Sequence, residues 1–313
     1  MKKLLKKIYK AVYPPIQRRT LQPVIEALEL NRMLLAKLMI RRMLDDGSNA
    51  TLRLSEFRAF SQAGEDGIIQ YLISRVPIER DVFVEFGVED YSQSNTRFLM
   101  MNNNWGGVVI DADEANINHI RRTSLYWSGE LTAVKAFINR DNINELIKSG
   151  GVSGDIGLLS VDIDGNDYWV WERINVVSPR IVVCEYNNLF GAKEAVTIPY
   201  SPDFVRTRAH YSRLYFGASL KALCTLAEKK GYDFVGCDSF GTNAFFVRKD
   251  VAGKVPVVTC EQGYVKNKVR ESQDSKGRLT FVSGDDRIKL IQDMPVIDVI
   301  TGKQKLIKDL VLA

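Results

Sequence analysis

Cysteine is scarce. The 313-residue chain has four and no CxxC pair, which excludes a disulfide-stapled scaffold and a zinc ribbon. Histidine is scarcer still, with only His119 and His210. No apolar run reaches the roughly 18 residues that a membrane span needs. The best one, residues 33–40, is broken by Lys37. There is no GxGxxG and no GxxxxGKS/T, so a glycine-rich phosphate loop for a dinucleotide or nucleoside triphosphate is not expected. No internal repeat is visible. What is present is ordinary globular usage, 45% hydrophobic and 26% charged, which excludes a fibrous or mostly disordered chain. Cys184 and Cys237 sit inside apolar runs and read as small core residues of a reduced, cytoplasmic protein.

The net charge of +5 is unevenly spread. Residues 1–42 hold 11 of the 43 Lys+Arg and 2 of the 38 Asp+Glu, leaving 32 basic and 36 acidic groups for the rest. The body is therefore slightly acidic, and no nucleic-acid partner is expected. In the basic segment Leu4, Leu5, Ile8 and Val12 recur at helical spacing, opposite Lys2, Lys3, Lys6, Lys7 and Lys10. Such a helix suits an anionic membrane surface, at about 1 kcal/mol per lysine near it. The plainer reading is an arm packed on the body or on a second subunit, and a disordered leader is a third. Residues 1–20 are the candidate peripheral membrane contact, on the inner face. Pro14-Pro15 is expected to end this helix, and a second is expected over about 23–44. Together they make an arm over 1–58.

From 59 to 250 short apolar runs alternate with helical patterns. Strands are predicted at 82–86, 107–112, 131–138, 156–163, 180–186, 232–237 and 243–248. Helices are predicted near 64–75, 95–103, 114–126, 143–148, 168–174 and 218–230. That alternation implies right-handed crossovers and a Rossmann-like α/β parallel sheet covered on both faces. Five residues separate the last two strands, too few for a helical crossover, so they are expected to form an antiparallel hairpin. Residues 251–313 read as an extension that packs back on this core.

Ligands of open parallel sheets bind beyond the carboxyl ends of the strands. Here those ends are acidic: Glu85 before Gly87, then Asp111, then Asp162 and Asp164, then Glu185 and Asn187. Acids in these places suit a cation, ribose hydroxyls or a divalent metal. S-adenosylmethionine answers to the first two. Asp111, 26 residues after Glu85, is placed to accept ribose hydroxyl protons, or else to act as a turn or helix cap.

At these residues the chain resembles FkbM-type and related sugar O-methyltransferases of class I. The pieces that carry the likeness are Val84-Glu85-Phe86-Gly87, Val108-Val109-Ile110-Asp111, Leu159-Ser160-Val161-Asp162-Ile163-Asp164-Gly165 and Asn243-Ala244-Phe245-Phe246-Val247. About 190 residues are covered. The resemblance implies five parallel strands closed by an antiparallel hairpin, and S-adenosylmethionine as cofactor. Its site would be built from Glu85, Gly87, Ser92, Asn95, Thr96, Asp111 and Asp162. Ser92, Asn95 and Thr96 would cap the next helix and offer N–H groups to the methionine carboxylate. The family's usual second glycine near Asp90 is missing. The resemblance also implies Mg2+ or another divalent ion on Asp164, Glu185 and Asn187. Asp167 stands where the family often has a catalytic histidine. In the metal-free alternative Asp164 and Asn166 cap a helix and Glu185 binds an acceptor hydroxyl.

The long loop at 188–216 carries Arg206, Arg208 and Arg213 among tyrosines, which suits a sugar bearing phosphate or carboxylate. Asp164, Asp167 and His210 are the candidate catalytic groups, with a loop histidine of no special role as the plainer reading of His210. The expected partner is a sugar or glycan precursor, and a homo-oligomer is a further candidate. The competing function is a non-catalytic module of the same fold that binds a glycan precursor or a protein. A nucleotide-sugar enzyme using another cofactor is disfavoured by the missing phosphate loops.

Overall fold

The computed structural model describes the backbone of residues 2–311 and the side chains from residue 21 onward, Gln22 excepted. The chain begins with a single long helix, α1 (Lys2–Asp46). The break expected at Pro14-Pro15 is absent, and the two expected helices are one. A proline removes one N–H donor and crowds the preceding turn, which costs stability, yet the neighbouring bonds can carry the axis onward. The lysine face of residues 1–20, on which the expected membrane contact rests, lies outside the described side chains. Among the described residues no helix is long and apolar enough to cross a membrane. Met33, Ala36 and Ile40 seat α1 against Phe57, Phe60 and Phe98. An ion pair of 2.7 Å between Arg97 and Glu29 adds a second tie.

The body follows as α2 (Glu65–Ile73), β1 (Val82–Phe86), α3 (Arg97–Asn103), β2 (Gly106–Asp111), α4 (Glu114–Ile120), α5 (Ser124–Ser128) and β3 (Leu131–Lys135). Then come α6 (Ile143–Ser149), β4 (Gly154–Val161), α7 (Asp167–Arg173), β5 (Val177–Glu185), β6 (Val196–Thr197), α8 (Arg206–Ala209), α9 (Leu220–Lys229), β7 (Tyr232–Cys237) and β8 (Asn243–Arg248). The extension adds α10 (Cys260–Gly263), α11 (Asp286–Lys289), β9 (Pro295–Asp298) and β10 (Gln304–Leu306).

The main sheet has the order β3-β2-β1-β4-β5-β8-β7. Strands β1 to β5 are parallel, and β8 runs antiparallel to both β5 and β7. This is the class I methyltransferase sheet, as expected. Its central strands are apolar on both faces because helices cover both. Alternate residues feed two layers. Val84, Leu159 and Val182 face one core with Trp171 and Leu223. Phe83, Leu158 and Ile181 face the other with Ile69 and Leu72. The order reverses at β1 and β4, whose carboxyl ends therefore open a crevice.

The extension does more than pack on this sheet. The backbone N–H of Val258 donates to the Phe234 carbonyl of β7. Beyond it, β9 pairs with β10 and with β6 of the long loop, making a second sheet of order β10-β9-β6. Ile291, Val296 and Ile307 bury themselves there against Phe190, Val196 and Tyr215. Loop and extension are thus one substructure standing over the crevice. Its core takes side chains from both segments, which is why its assembly could not be read from either segment separately.

Candidate active site

The crevice holds a cavity of about 700 Å3 at the carboxyl ends of β1, β2, β4 and β5. Pockets for small ligands usually span about 300–1,000 Å3. Its acids are Glu89, Asp111, Asp113, Asp162, Asp164, Glu185 and Glu271, against two basic residues, Arg58 and Arg206.

The turn after β1 must have glycine at its start. Gly87 has φ +68°, and a Cβ there would sit 1.8 Å from the Asp162 carbonyl oxygen. The next turns of the loop carry Glu89 and Tyr91 at φ 48° and 65°, an uncommon conformation for side-chain-bearing residues. Asp111 pins this loop to the end of β2. One carboxylate oxygen accepts the Glu89 N–H at 2.9 Å, and the other accepts the Asp113 N–H at 2.8 Å. The Asn116 amide also donates to Oδ1, at 3.3 Å, so Oδ2 is the oxygen that keeps acceptor capacity for a ligand hydroxyl.

Glu85 does not face the cavity. It is buried, and its oxygens accept from the Ser94 hydroxyl and from the Asn95 and Thr96 N–H groups. It acts as a clasp for the loop before α3. This overturns two expectations. Glu85 is not a ligand-binding side chain, and Asn95 and Thr96 have no backbone N–H to spare for a carboxylate. Ser92 is exposed, with its N–H spent on Asp90, and Ser94, not Ser92 or Thr96, caps α3 by accepting from the Arg97 N–H.

Asp162, Asp164 and Glu185 do converge. Each offers an oxygen, and these oxygens lie within 4.8 Å of one another. Asp164 holds φ 54°, a left-handed conformation that aspartate tolerates better than most residues. One Glu185 oxygen, Oε2, is buried without a hydrogen-bond partner. Burial first, then Asp164 and Asp167, push the Asp162 carboxyl well above its usual range, with Arg206 opposing. Burial and then Asp162, Asp164 and Asp167 do the same to Glu185. Three hard oxygen donors with an unpartnered buried atom fit a divalent cation, and equally a proton or a donor group of a ligand.

Five other expectations change. Asp167 is fully buried and accepts the N–H groups of Ile163 and Gly165 at 2.7 and 2.8 Å, so it shapes the β4 loop and is not a catalytic group. Asn187 is not a metal ligand. Its amide donates to the Leu214 and Phe216 carbonyls and its oxygen accepts the Leu189 N–H. His210 lies off the cavity, its Nδ1 2.7 Å from the Ser212 hydroxyl, and burial lowers its pKa. Asp164 and Asn166 make no side-chain cap on α7. Nor are the arginines of the long loop free for an anionic acceptor. Arg206 is bound by Asp164 at 2.5 Å and by Glu271 at 2.9 Å, and lies over the Phe216 ring at 3.8 Å. Arg208 and Arg213 are exposed and do not line the cavity.

Several lining residues carried no sequence signal. Asn267, Val269 and Glu271 come from the extension, and Phe137, Phe204 and Phe240 from three separate loops. Arg58 and Gln62 are held at the mouth because Asp66 gathers the N–H groups of Ala59, Phe60 and Ser61.

The raised pKa values carry a sign for stability. Asp162 and Glu185 hold protons more tightly in the fold than when unfolded. The folded state then binds more protons than the unfolded one above the ordinary carboxylate range, and stability falls as pH rises there. The melting temperature of the ligand-free protein should drop between about pH 5 and pH 8, with a shallower slope in Glu185→Gln. Equal slopes in both proteins would show that Glu185 is not held protonated.

No protein-family profile and no curated protein matches this chain. Among solved structures it is similar to TehB from Haemophilus influenzae, at 11% identity and TM-score 0.36, over 60% of this chain and 63% of that one. It is also similar to the N-terminal domain of EvdMO1 with SAH bound, at 8% identity and TM-score 0.38, over 67% of this chain and 94% of that one. A third is PKMT2 from Rickettsia typhi, at 8% identity and TM-score 0.41, over 64% of this chain and 56% of that one.

Proposed function

We propose that the chain is an S-adenosylmethionine-dependent O-methyltransferase acting on a sugar or glycan-precursor hydroxyl, of the FkbM-like kind. The observation that carries this reading is the acidic cavity at the switch point, with Gly87 and Asp111 on one side and Asp162, Asp164 and Glu185 on the other. The lining fits the cofactor: it is anionic where the ligand is cationic, and Asp111 Oδ2 has free acceptor capacity for a ribose hydroxyl. S-adenosylmethionine supplies a methyl group on a positively charged sulfur. The protein's part is positioning and proton removal, which together contribute several kcal/mol or more. Glu185 or Asp162, in its ionised form, accepts the acceptor's hydroxyl proton, and burial among other carboxylates makes that form a stronger base than usual. A divalent ion would be held by Asp162, Asp164 and Glu185 and would ease loss of that proton. Phe137, Phe204 and Phe240 offer flat apolar faces for a sugar ring beside these acceptors.

Release of S-adenosylhomocysteine on adding crude cell glycans tests the activity. No release with any glycan fraction, despite tight cofactor binding, favours the non-catalytic module. Asp111→Ala should weaken cofactor binding by about 1–3 kcal/mol, because a largely buried charged acceptor is lost. An unchanged calorimetric affinity in that variant would remove Asp111 from the site.

A further inference from the structure

One face of α1 carries a row of exposed leucines. The helix touches the body through Met33, Ala36, Ile40 and Met43. Roughly a third of a turn away, Leu21, Val24, Leu28, Asn31, Leu35 and Leu38 follow one another at steps of three and four residues. All six are exposed, Leu35 and Leu38 to 63%. We propose that this row is a coiled-coil seam that pairs α1 with α1 of a second copy of this chain, parallel and in register.

Three observations select that occupant. The first is the period. Alternating steps of three and four repeat every seven residues, which keeps a narrow seam facing a partner helix. The second is Asn31. A single polar residue inside a seam is satisfied when it meets its own copy, and it then fixes the register. Against lipid or an apolar groove the same amide would be buried without a partner. The third is size. With Ile25, Leu34 and Met39 beside the row, eight large apolar side chains are between 37% and 63% exposed. A fully exposed one of this kind presents on the order of 100 Å2, so about 400 Å2 is open on each chain. Homodimer interfaces are about 65% apolar, which scales this to roughly 600 Å2 per copy and 1,200 Å2 in all. That reaches the area of specific, stable interfaces. None of the seam residues lines the cavity. The inference stands apart from the catalytic reading.

Sedimentation of the full chain tests it, with Leu28→Glu/Leu35→Glu alongside. The wild type should sediment as a dimer at about 100 µM and the double variant as a monomer with an unchanged thermal melt. A second variant, Asn31→Cys, should form a disulfide-linked dimer on mild oxidation, because the native cysteines lie in the body. A monomeric wild type, alone or bound to anionic vesicles, would overturn the proposal. So would a dimer that survives the double substitution. Failure of Asn31→Cys to cross-link in a sample shown to be dimeric would overturn the register.

Discussion

Glu185→Gln should lower turnover by about 10²–10⁴-fold while leaving cofactor affinity nearly unchanged. The residue ends β5 beside Asp162 and Asp164, with one oxygen buried and unpartnered. In that surrounding a carboxylate is desolvated and repelled by its neighbours, so its ionised form is a stronger base than usual. Glutamine keeps the size and removes the proton acceptor. Loss at turnover without loss in binding is what distinguishes a reacting group from a scaffold group. A parallel assay with a chelator separates the two forms of the chemistry: sensitivity points to a cation held by the three acids, insensitivity to direct proton transfer. Full turnover by the variant, with chelator present, would show that the cluster is structural.

Gly87→Ala should cost at least ~100-fold in cofactor affinity. The added Cβ meets the Asp162 backbone oxygen, which cannot rotate away as a side chain can. Either the end of β1 leaves β4 or the loop to Asp111 opens, and each displaces a cavity wall. Gly217 is the control. It shares a positive φ of +64°, but its nearest neighbour would be 3.8 Å from the new atom. Gly217→Ala should therefore carry the backbone strain of about 1 kcal/mol and spare binding. Equal affinity in Gly87→Ala and the wild type would mean that the β1 turn is not part of the ligand site.

The sheet was legible because its determinants are local. Apolar runs such as Leu158-Leu159 and Ile181-Val182-Val183 announce buried strands, and the five-residue gap after Cys237 forces the hairpin. The crevice followed from topology alone, and with it Gly87, Asp111, Asp162, Asp164 and Glu185. What failed was the division of labour among acids. Glu85, Asp167 and Asp238 also stand in or after the ends of apolar strands, yet each is spent on the chain's own N–H groups. A carboxylate that clasps a loop and one that faces a cavity leave the same mark in a sequence, because the difference lies in where donors from other segments arrive. Arg206 shows the same limit. Its partners, Asp164 and Glu271, are 42 and 65 residues away. The role of the extension was hidden for a related reason, since Asn267 and Glu271 line the cavity beside residues from segments far away in the chain.

The central claim is that the acidic cavity binds S-adenosylmethionine. The most direct measurement is a calorimetric titration of the full chain with S-adenosylhomocysteine, the demethylated product. One site per chain is expected, with a dissociation constant in the micromolar to sub-millimolar range, unaffected by the Leu28→Glu/Leu35→Glu change on α1. Absence of any saturable binding heat up to about 1 mM ligand, in a protein that melts cooperatively, would contradict it.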